Sequence, residues 1–224
     1  MSPALWITFW LVMFAGTHGV LSSLAVRERF VSVMGAKGFL GFYSLVAFAT
    51  FIPLVSVYFD NRHAGGLLWD LPAVQGLRSF SMLLAVTGVA LITVGVLQPS
   101  PALAGVTGAA VPRGLTRITR HPLFMGIALW SASHLLLNGF LTDVLFFGGL
   151  LVFSLAGAAH QDARKRVTDR ERLGPFLAET SFWPFAAILT GRNHIVWREL
   201  PWIGLFIGAA AAIGIYALHP WMFR

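Results

Sequence analysis

The stretch RITRHPLFMGIALWSASHLLLNGFLTDVLFFGGLLVFSLAGAAHQDARKR, Arg117–Arg166, decides the fold. Arg117, Arg120 and His121 open it, and an apolar run follows as far as Leu137. Asn138–Gly139 interrupts, since the pair is a helix stop. A second apolar run then closes on Arg164, Lys165 and Arg166. Each run is close to the roughly 17–25 residues a helix needs to cross a bilayer. Cations at both outer ends with a tight polar turn between describe a transmembrane helical hairpin.

The same test applied outward along the chain gives six spans, at about 4–26, 36–59, 77–98, 122–140, 141–161 and 199–219. Loop cations order them. Arg27, Arg29 and Lys37 fall in the predicted loop 27–37, Arg113, Arg117 and Arg120 in 99–121. Arg164, Lys165, Arg166, Arg170, Arg172, Arg192 and Arg198 fall in 162–198. A six-span serpentine puts all three loops on one side, leaving Arg62, Arg78 and Arg224 opposite. Positive charge marks the cytoplasmic face, so both termini are expected on the far, periplasmic side. The first span lacks a basic leader and reads as a retained helix, not a cleavable signal. The expected class is all-α: a polytopic membrane helix bundle of about six transmembrane helices, residues 1–224 forming one membrane domain.

Composition agrees. Of 224 residues, 57% are apolar and 11% charged, where a soluble domain carries about a quarter charged. The net charge of +7 follows from topology. Its expected partner is the lipid bilayer with its anionic headgroups, not nucleic acid. There is no cysteine, which excludes disulfides, thiolate ligands and iron–sulfur clusters.

Three loops are more than connections. Loop 60–76 carries Trp69 and reads as interfacial. The Pro/Gly/Ala-rich segment 99–116 is uncharged until Arg113, so it folds back on the bundle or walls a cavity, where irregular backbone is tolerated at membrane depth. Segment 162–198 starts as a charged extension of the fifth helix and continues into SFWPFAAILTGRN, 181–193, an interfacial or re-entrant piece. Asp162, among Arg164, Lys165 and Arg166, reads as part of a solvated salt-bridged face. His160 reads as a helix-terminal residue near the headgroups.

Ionisable residues inside spans are functional candidates by default. Two stand out, His18 and His134. The predicted boundaries put His18 roughly 12–14 Å and His134 about 19 Å from the cation-rich ends of their spans. His121, thirteen residues before His134 on one helix, is close to 20 Å from it and cannot share an iron with it. Small residues flank both rings: Ala15, Gly16, Thr17, Gly19 and Ser22 around one, Ser131, Ala132 and Ser133 around the other. Small residues leave room for a flat ligand, and they also let membrane helices pack closely. A ring simply hydrogen-bonded to a neighbouring helix accounts equally well for either histidine alone. The pair suggests haem, because imidazole is a common axial ligand and bundles hold cofactors between facing helices.

THGVLSSLAVR, RITRHPLFMGIALWSASHLLLNG, HQDARKR, SFWPFAAILTGRN and LHPWMF occur in that order. Together they resemble the NnrU family of bacterial membrane proteins over essentially the whole chain. The family name reflects association with nitrite and nitric-oxide reduction, and its relatives include the haem b enzyme 15-cis-zeta-carotene isomerase. The resemblance implies a bacterial inner-membrane protein with haem b ligated by His18 and His134. The isomerase's second ligand follows a cysteine by three residues, and here that position is Ser131, a poor iron ligand beside thiolate. Arg27, Arg117 and Arg120 become candidates for haem propionates, since guanidinium pairs well with carboxylate; plain positive-inside anchoring accounts for them too. The implied role is isomerase-like, on a small hydrophobic substrate, or in denitrification with a gas ligand.

RHPLFMGIALW also resembles the S-adenosylmethionine segment of membrane isoprenylcysteine and phospholipid methyltransferases, with Phe124 where those enzymes have tyrosine. That resemblance implies a cofactor site of Arg120, His121, Gly126 and Trp130, and it gives His18 no task. A third class is a non-catalytic assembly factor for a membrane reductase partner.

Overall fold

The computed structural model describes residues 2–71 and 74–222. Arg224 and Phe223, the last residue of the LHPWMF motif, lie outside the described residues, as do Pro72 and Ala73 of the 60–76 loop. The described chain is helical, its strand-like pairing limited to one bridge, Leu67 with Phe140. In order the helices are α1 (Pro3–Ser22), α2 (Leu24–Asp60), α3 (Leu77–Leu97), α4 (Pro122–Leu137), α5 (Leu141–Thr168), α6 (Arg170–Glu179), α7 (Ala186–Leu189) and α8 (Trp202–Met222). Five of them, α1, α2, α3, α5 and α8, are long and apolar enough to cross a membrane. Their outward faces carry Leu45, Phe48, Val152, Ile203 and Phe206, all more than half exposed, which suits contact with lipid tails rather than water.

Three boundaries differ from the sequence reading. The first helix ends at Ser22, because Ser23 is extended (φ −63°, ψ 147°). His18 therefore stands four residues, roughly 6 Å, from its helix end rather than 12–14 Å. The predicted loop 27–37 is mostly helix. LAVRERFVSVM, 24–34, contains no breaker, and α2 starts at once after Ser23; the interruption is Gly35, whose φ of 72° and ψ of 167° only glycine adopts readily. The predicted fourth span, 122–140, is the 16-residue α4, about 24 Å long and shorter than the five membrane-length helices. Pro122 starts it and Asn138–Gly139 stops it, as the hairpin reading requires.

The chain forms two compact units. Met1–Leu77 with Leu135–Phe153 makes the first, holding α1, α2 and the start of α5. There Phe14 packs against Phe51 and Phe153, with ring centroids 5.0 and 4.7 Å away, and Tyr58 stacks on Phe146 at 4.1 Å. The loop after α2 docks on the turn before α5. Leu68 N–H donates to the Gly139 carbonyl (2.8 Å) and Leu141 N–H to that of Gly66 (3.0 Å), while Trp69 Nε1 donates to the Leu135 carbonyl (3.0 Å).

Arg78–His134 with Ser154–Arg224 makes the second unit. Here α3 is the central post, because glycines let two helices approach its backbone. A Cβ on Gly126 of α4 would lie 2.6 Å from the Gly88 carbonyl oxygen. One on Gly208 of α8 would lie 2.5 Å from Ala90 Cα. The segment after α3 folds back as expected. Ala102 is buried with Leu173 and Phe176 of α6, and the Arg172 guanidinium donates to the carbonyls of Pro101, Val106 and Gly108.

Candidate functional site

In the first unit, His18 lies in an aromatic nest. Its ring centroid is 4.3 Å from Phe14, 5.0 Å from Tyr43 and 5.2 Å from Phe153. Nδ1 is 2.8 Å from the Phe14 carbonyl one turn earlier. A carbonyl only accepts, so Nδ1 carries the proton and the lone pair is on Nε2. The Arg27 guanidinium lies 5.7 Å over the ring of Phe39, and Phe39 neighbours Tyr43 at 5.9 Å. A cation thus borders the same aromatic cluster as His18.

In the second unit, His134 repeats this posture. Nδ1 is 2.9 Å from the Trp130 carbonyl, the Trp130 ring is 4.7 Å away, and the lone pair is again on Nε2. Ser133 holds the turn: its Oγ donates to the Trp130 carbonyl (2.7 Å), and its own carbonyl accepts from Ser81 Oγ (2.7 Å). Ser131 is fully buried and its Oγ has no hydrogen-bond partner among the described residues.

Imidazoles that ligate a metal usually donate their other ring N–H to a carbonyl or carboxylate, which fixes the tautomer and aims the donor nitrogen. His18 and His134 each meet that condition, and each sits among rings and small residues that suit a flat apolar ligand. The donor chemistry at each therefore fits the axial-ligand role that the family resemblance implies for haem.

The remaining candidates are engaged elsewhere. Arg120 and His121 are 3% and 2% exposed. Asp162 joins them: His121 Nε2 is 2.7 Å from its Oδ1, and Arg120 Nη1 donates to its Oδ2. Arg120 also donates from Nε to Thr180 Oγ1 (3.0 Å) and from Nη2 to the carbonyls of Leu177 (3.0 Å) and Thr180 (2.8 Å). Asp162 as a whole is 6% exposed, so its expected place on a solvated face is corrected. Ser154, Ala158 and Asp162 recur every four residues and are all buried; the inward stripe of α5 continues past the apolar run. Backbone bonds Arg120 N–H to Ser181 O and Phe185 N–H to Ile118 O, both 2.8 Å, bind the 181–193 segment to the same corner. Arg117 pairs bidentately with Glu199 (2.8 and 3.2 Å) and donates to Asn193 Oδ1 (3.0 Å). That bond holds the Glu199 carboxyl at about 2, below its ordinary 4.5. His160 is exposed.

Sequence reading missed a second buried carboxylate. Asp143, fully buried in the first turn of α5, accepts from Tyr58 Oη (3.0 Å) and His63 Nδ1 (2.8 Å). The usable signal was its place at a helix N-terminus, where a carboxylate is favoured. Its partners, eighty or more residues earlier, could not be named from spacing.

Residues 6–224 match the family model described as NnrU protein. The chain is 27% identical over 234 residues to "15-cis-zeta-carotene isomerase, chloroplastic" of Arabidopsis thaliana, a match covering 99% of this chain and 61% of that protein. It is 28% identical over 224 residues to the protein of the same name from Zea mays, covering 94% of this chain and 58% of that one. The chain thus spans about three fifths of the length of these curated relatives. No solved structure matches it.

Proposed function

The chain belongs to the NnrU family, and from that premise we propose that it is a haem b membrane protein with isomerase-like chemistry on an apolar polyene. His18 and His134 are the axial ligands in this proposal. The observation that carries it is their common posture: each Nδ1 donates to the carbonyl four residues earlier, at 2.8 and 2.9 Å. Each donor nitrogen is thereby held in one tautomer. Haem, held by these two residues, would supply iron chemistry that a double bond or a small gas could reach only in place of one histidine.

The chain's own part is binding and orientation. Phe14, Tyr43 and Phe153 set the plane of the His18 ring, and Trp130 and Ser133 set that of His134. Arg27, beside the His18 cluster, is the cation we assign to a propionate. Arg117 and Arg120 spend their donors on Glu199, Asn193, Asp162, Thr180 and Leu177, and we assign them to holding the cation-rich loops. His121 goes with them, its Nε2 held 2.7 Å from Asp162 Oδ1. The expected setting is the bacterial inner membrane with both termini periplasmic.

The test is the optical spectrum of detergent-purified protein from haem-replete cells. The expected result is a haem b spectrum with two nitrogen ligands, lost or strongly altered in His134→Ala. Colourless protein that takes up no added haem overturns the proposal. Haem binding with no change in the isomer ratio of a cis-polyene would turn the reading toward gas chemistry or assembly of a reductase.

A further inference from the structure

We propose that His63 and Asp143 form a proton-operated latch that ties the loop after α2 more tightly to the start of α5 as pH falls. The latch lies within the first unit and needs no haem. Its basis is a half-exposed imidazole bonded to a carboxylate that water does not reach. His63 Nδ1 lies 2.8 Å from Asp143 Oδ2, and the two side chains are 54% and 0% exposed.

The carboxylate fixes the ring and the backbone together. Asp143 Oδ1 accepts the His63 backbone N–H (3.3 Å) and the Tyr58 hydroxyl (3.0 Å). His63 has a φ of 54°, a left-handed backbone uncommon outside glycine. One buried carboxylate accepting both its backbone and its ring N–H holds the turn in that form. A carboxylate only accepts, so Nδ1 carries a proton, and Nε2 is the nitrogen left to take a second one.

The strip beside the latch makes the loop the cap of α5. Leu141 N–H donates to the Gly66 carbonyl (3.0 Å) and Thr142 N–H to that of Ala64 (3.2 Å). Ala64 N–H in turn donates to Thr142 Oγ1 (3.0 Å). First-turn N–H groups such as those of Leu141 and Thr142 have no partner within their own helix, so the loop satisfies what the helix cannot. Those bonds join neutral groups. The His63–Asp143 bond beside them is the one that a proton changes.

An imidazole changes charge between about pH 5 and 8. Uptake of one proton from water at Nε2 sets a full positive charge against the buried carboxylate, and a bond between two ionised groups is the stronger one. No covalent bond of the chain changes, and loss of the proton restores the original bond. The groups around the ring do not reverse this sign. Tyr58 of α2 donates to the same carboxylate as a neutral hydroxyl. Phe140, before α5, presents an uncharged ring 5.9 Å away. Arg62, next in the chain, carries its guanidinium over the Phe59 ring, 5.7 Å from the centroid. Docking of the loop is therefore firmest at the acid end of that interval and weakens as pH rises.

The experiment uses a spin label on the loop. The chain has no cysteine, so Leu68→Cys, at a side chain 55% exposed, takes a single nitroxide. Continuous-wave electron paramagnetic resonance spectra of the full chain in detergent are compared between about pH 8 and about pH 5. They are recorded with His63 intact and with His63→Gln, which keeps an N–H donor but takes up no proton. The expected result is a ratio of immobilised to mobile label that rises about three- to fivefold on acidification, the scale of a partly exposed ion pair, and returns when the pH is restored. With His63→Gln the ratio stays constant. Asp143→Asn, which keeps the side chain's shape and removes its charge, gives a second flat profile. A label at Leu45, 67% exposed on α2, corrects for any response of the micelle. A ratio that stays constant with His63 intact, that falls on acidification, or that rises equally with His63→Gln overturns the latch.

Discussion

Replacing Asp162 by alanine removes the carboxylate that joins Arg120 to His121. The side chains of Arg120, Asp162 and His121 are 4%, 9% and 1% exposed, so the change strands a buried guanidinium. Breaking a buried pair from one side costs about 3–5 kcal/mol, because the partner stays charged and loses its compensation. Arg120 keeps its bonds to Thr180 Oγ1 and to the Leu177 and Thr180 carbonyls, which places the expected cost near the lower bound. For a chain of this size 1 kcal/mol moves the melting temperature by roughly 2–4 °C, so about 3 kcal/mol lowers it by about 6–12 °C. The assay is intrinsic tryptophan fluorescence during heating of detergent-purified protein. The control is Asp169→Ala, which removes the partner of Lys165 and Arg172; that carboxylate is 25% exposed, and such pairs contribute about 0–1 kcal/mol. If Asp162→Ala melts no lower than Asp169→Ala, the buried cluster is not what fixes the 181–193 segment against the start of α4.

Other expectations follow from single contacts. Gly126→Ala puts a methyl 2.6 Å from the Gly88 carbonyl oxygen and 2.7 Å from Ile92 N; backbone cannot yield, so overpacking costs about 1–3 kcal/mol or more and lowers the yield of folded protein. Gly16→Ala, with nothing within 4 Å, should leave the melting temperature unchanged or raised, and a loss like that of Gly126→Ala would contradict the packing described. Ser131→Ala deletes a fully buried hydroxyl without a hydrogen-bond partner among the described residues and should stabilise by about 1 kcal/mol, read as a rise in melting temperature. Glu199 gives a pH signature. Its folded value of about 2 lies below the ordinary 4.5, with the Arg117 hydrogen bond as first cause. The stability it contributes is therefore complete above 4.5 and is lost as pH falls through about 2. Glu199→Gln should flatten that acid limb of a melting-temperature profile, and an unchanged slope would remove the pair from the account.

The sequence by itself determined the class of protein. Hydropathy and length make helices of α1, α3, α5 and α8 wherever a bilayer must see no bare backbone, and Asn138–Gly139 stops α4 in any packing. It also singled out His18 and His134, because a polar ring inside an apolar run is conspicuous in one dimension. Helix continuation was less legible. Residues 24–34 carry two arginines and a glutamate, which hydropathy scores as loop although nothing there breaks a helix before Gly35. The partners of charged groups were not legible at all. Asp162 sits among cations at the end of α5, and only the inward stripe of Ser154 and Ala158 turns it toward Arg120 and His121. Asp143 meets Tyr58 and His63 only because the loop after α2 docks on the α4–α5 turn. The rings of His134 and His219, 85 residues apart in the chain, lie 6.5 Å apart, a meeting that no spacing in the sequence announces. Burial of a single residue type is a local quantity that composition reports. Which two buried groups meet depends on how closely helices pack and in what register, and those are properties of the assembled fold.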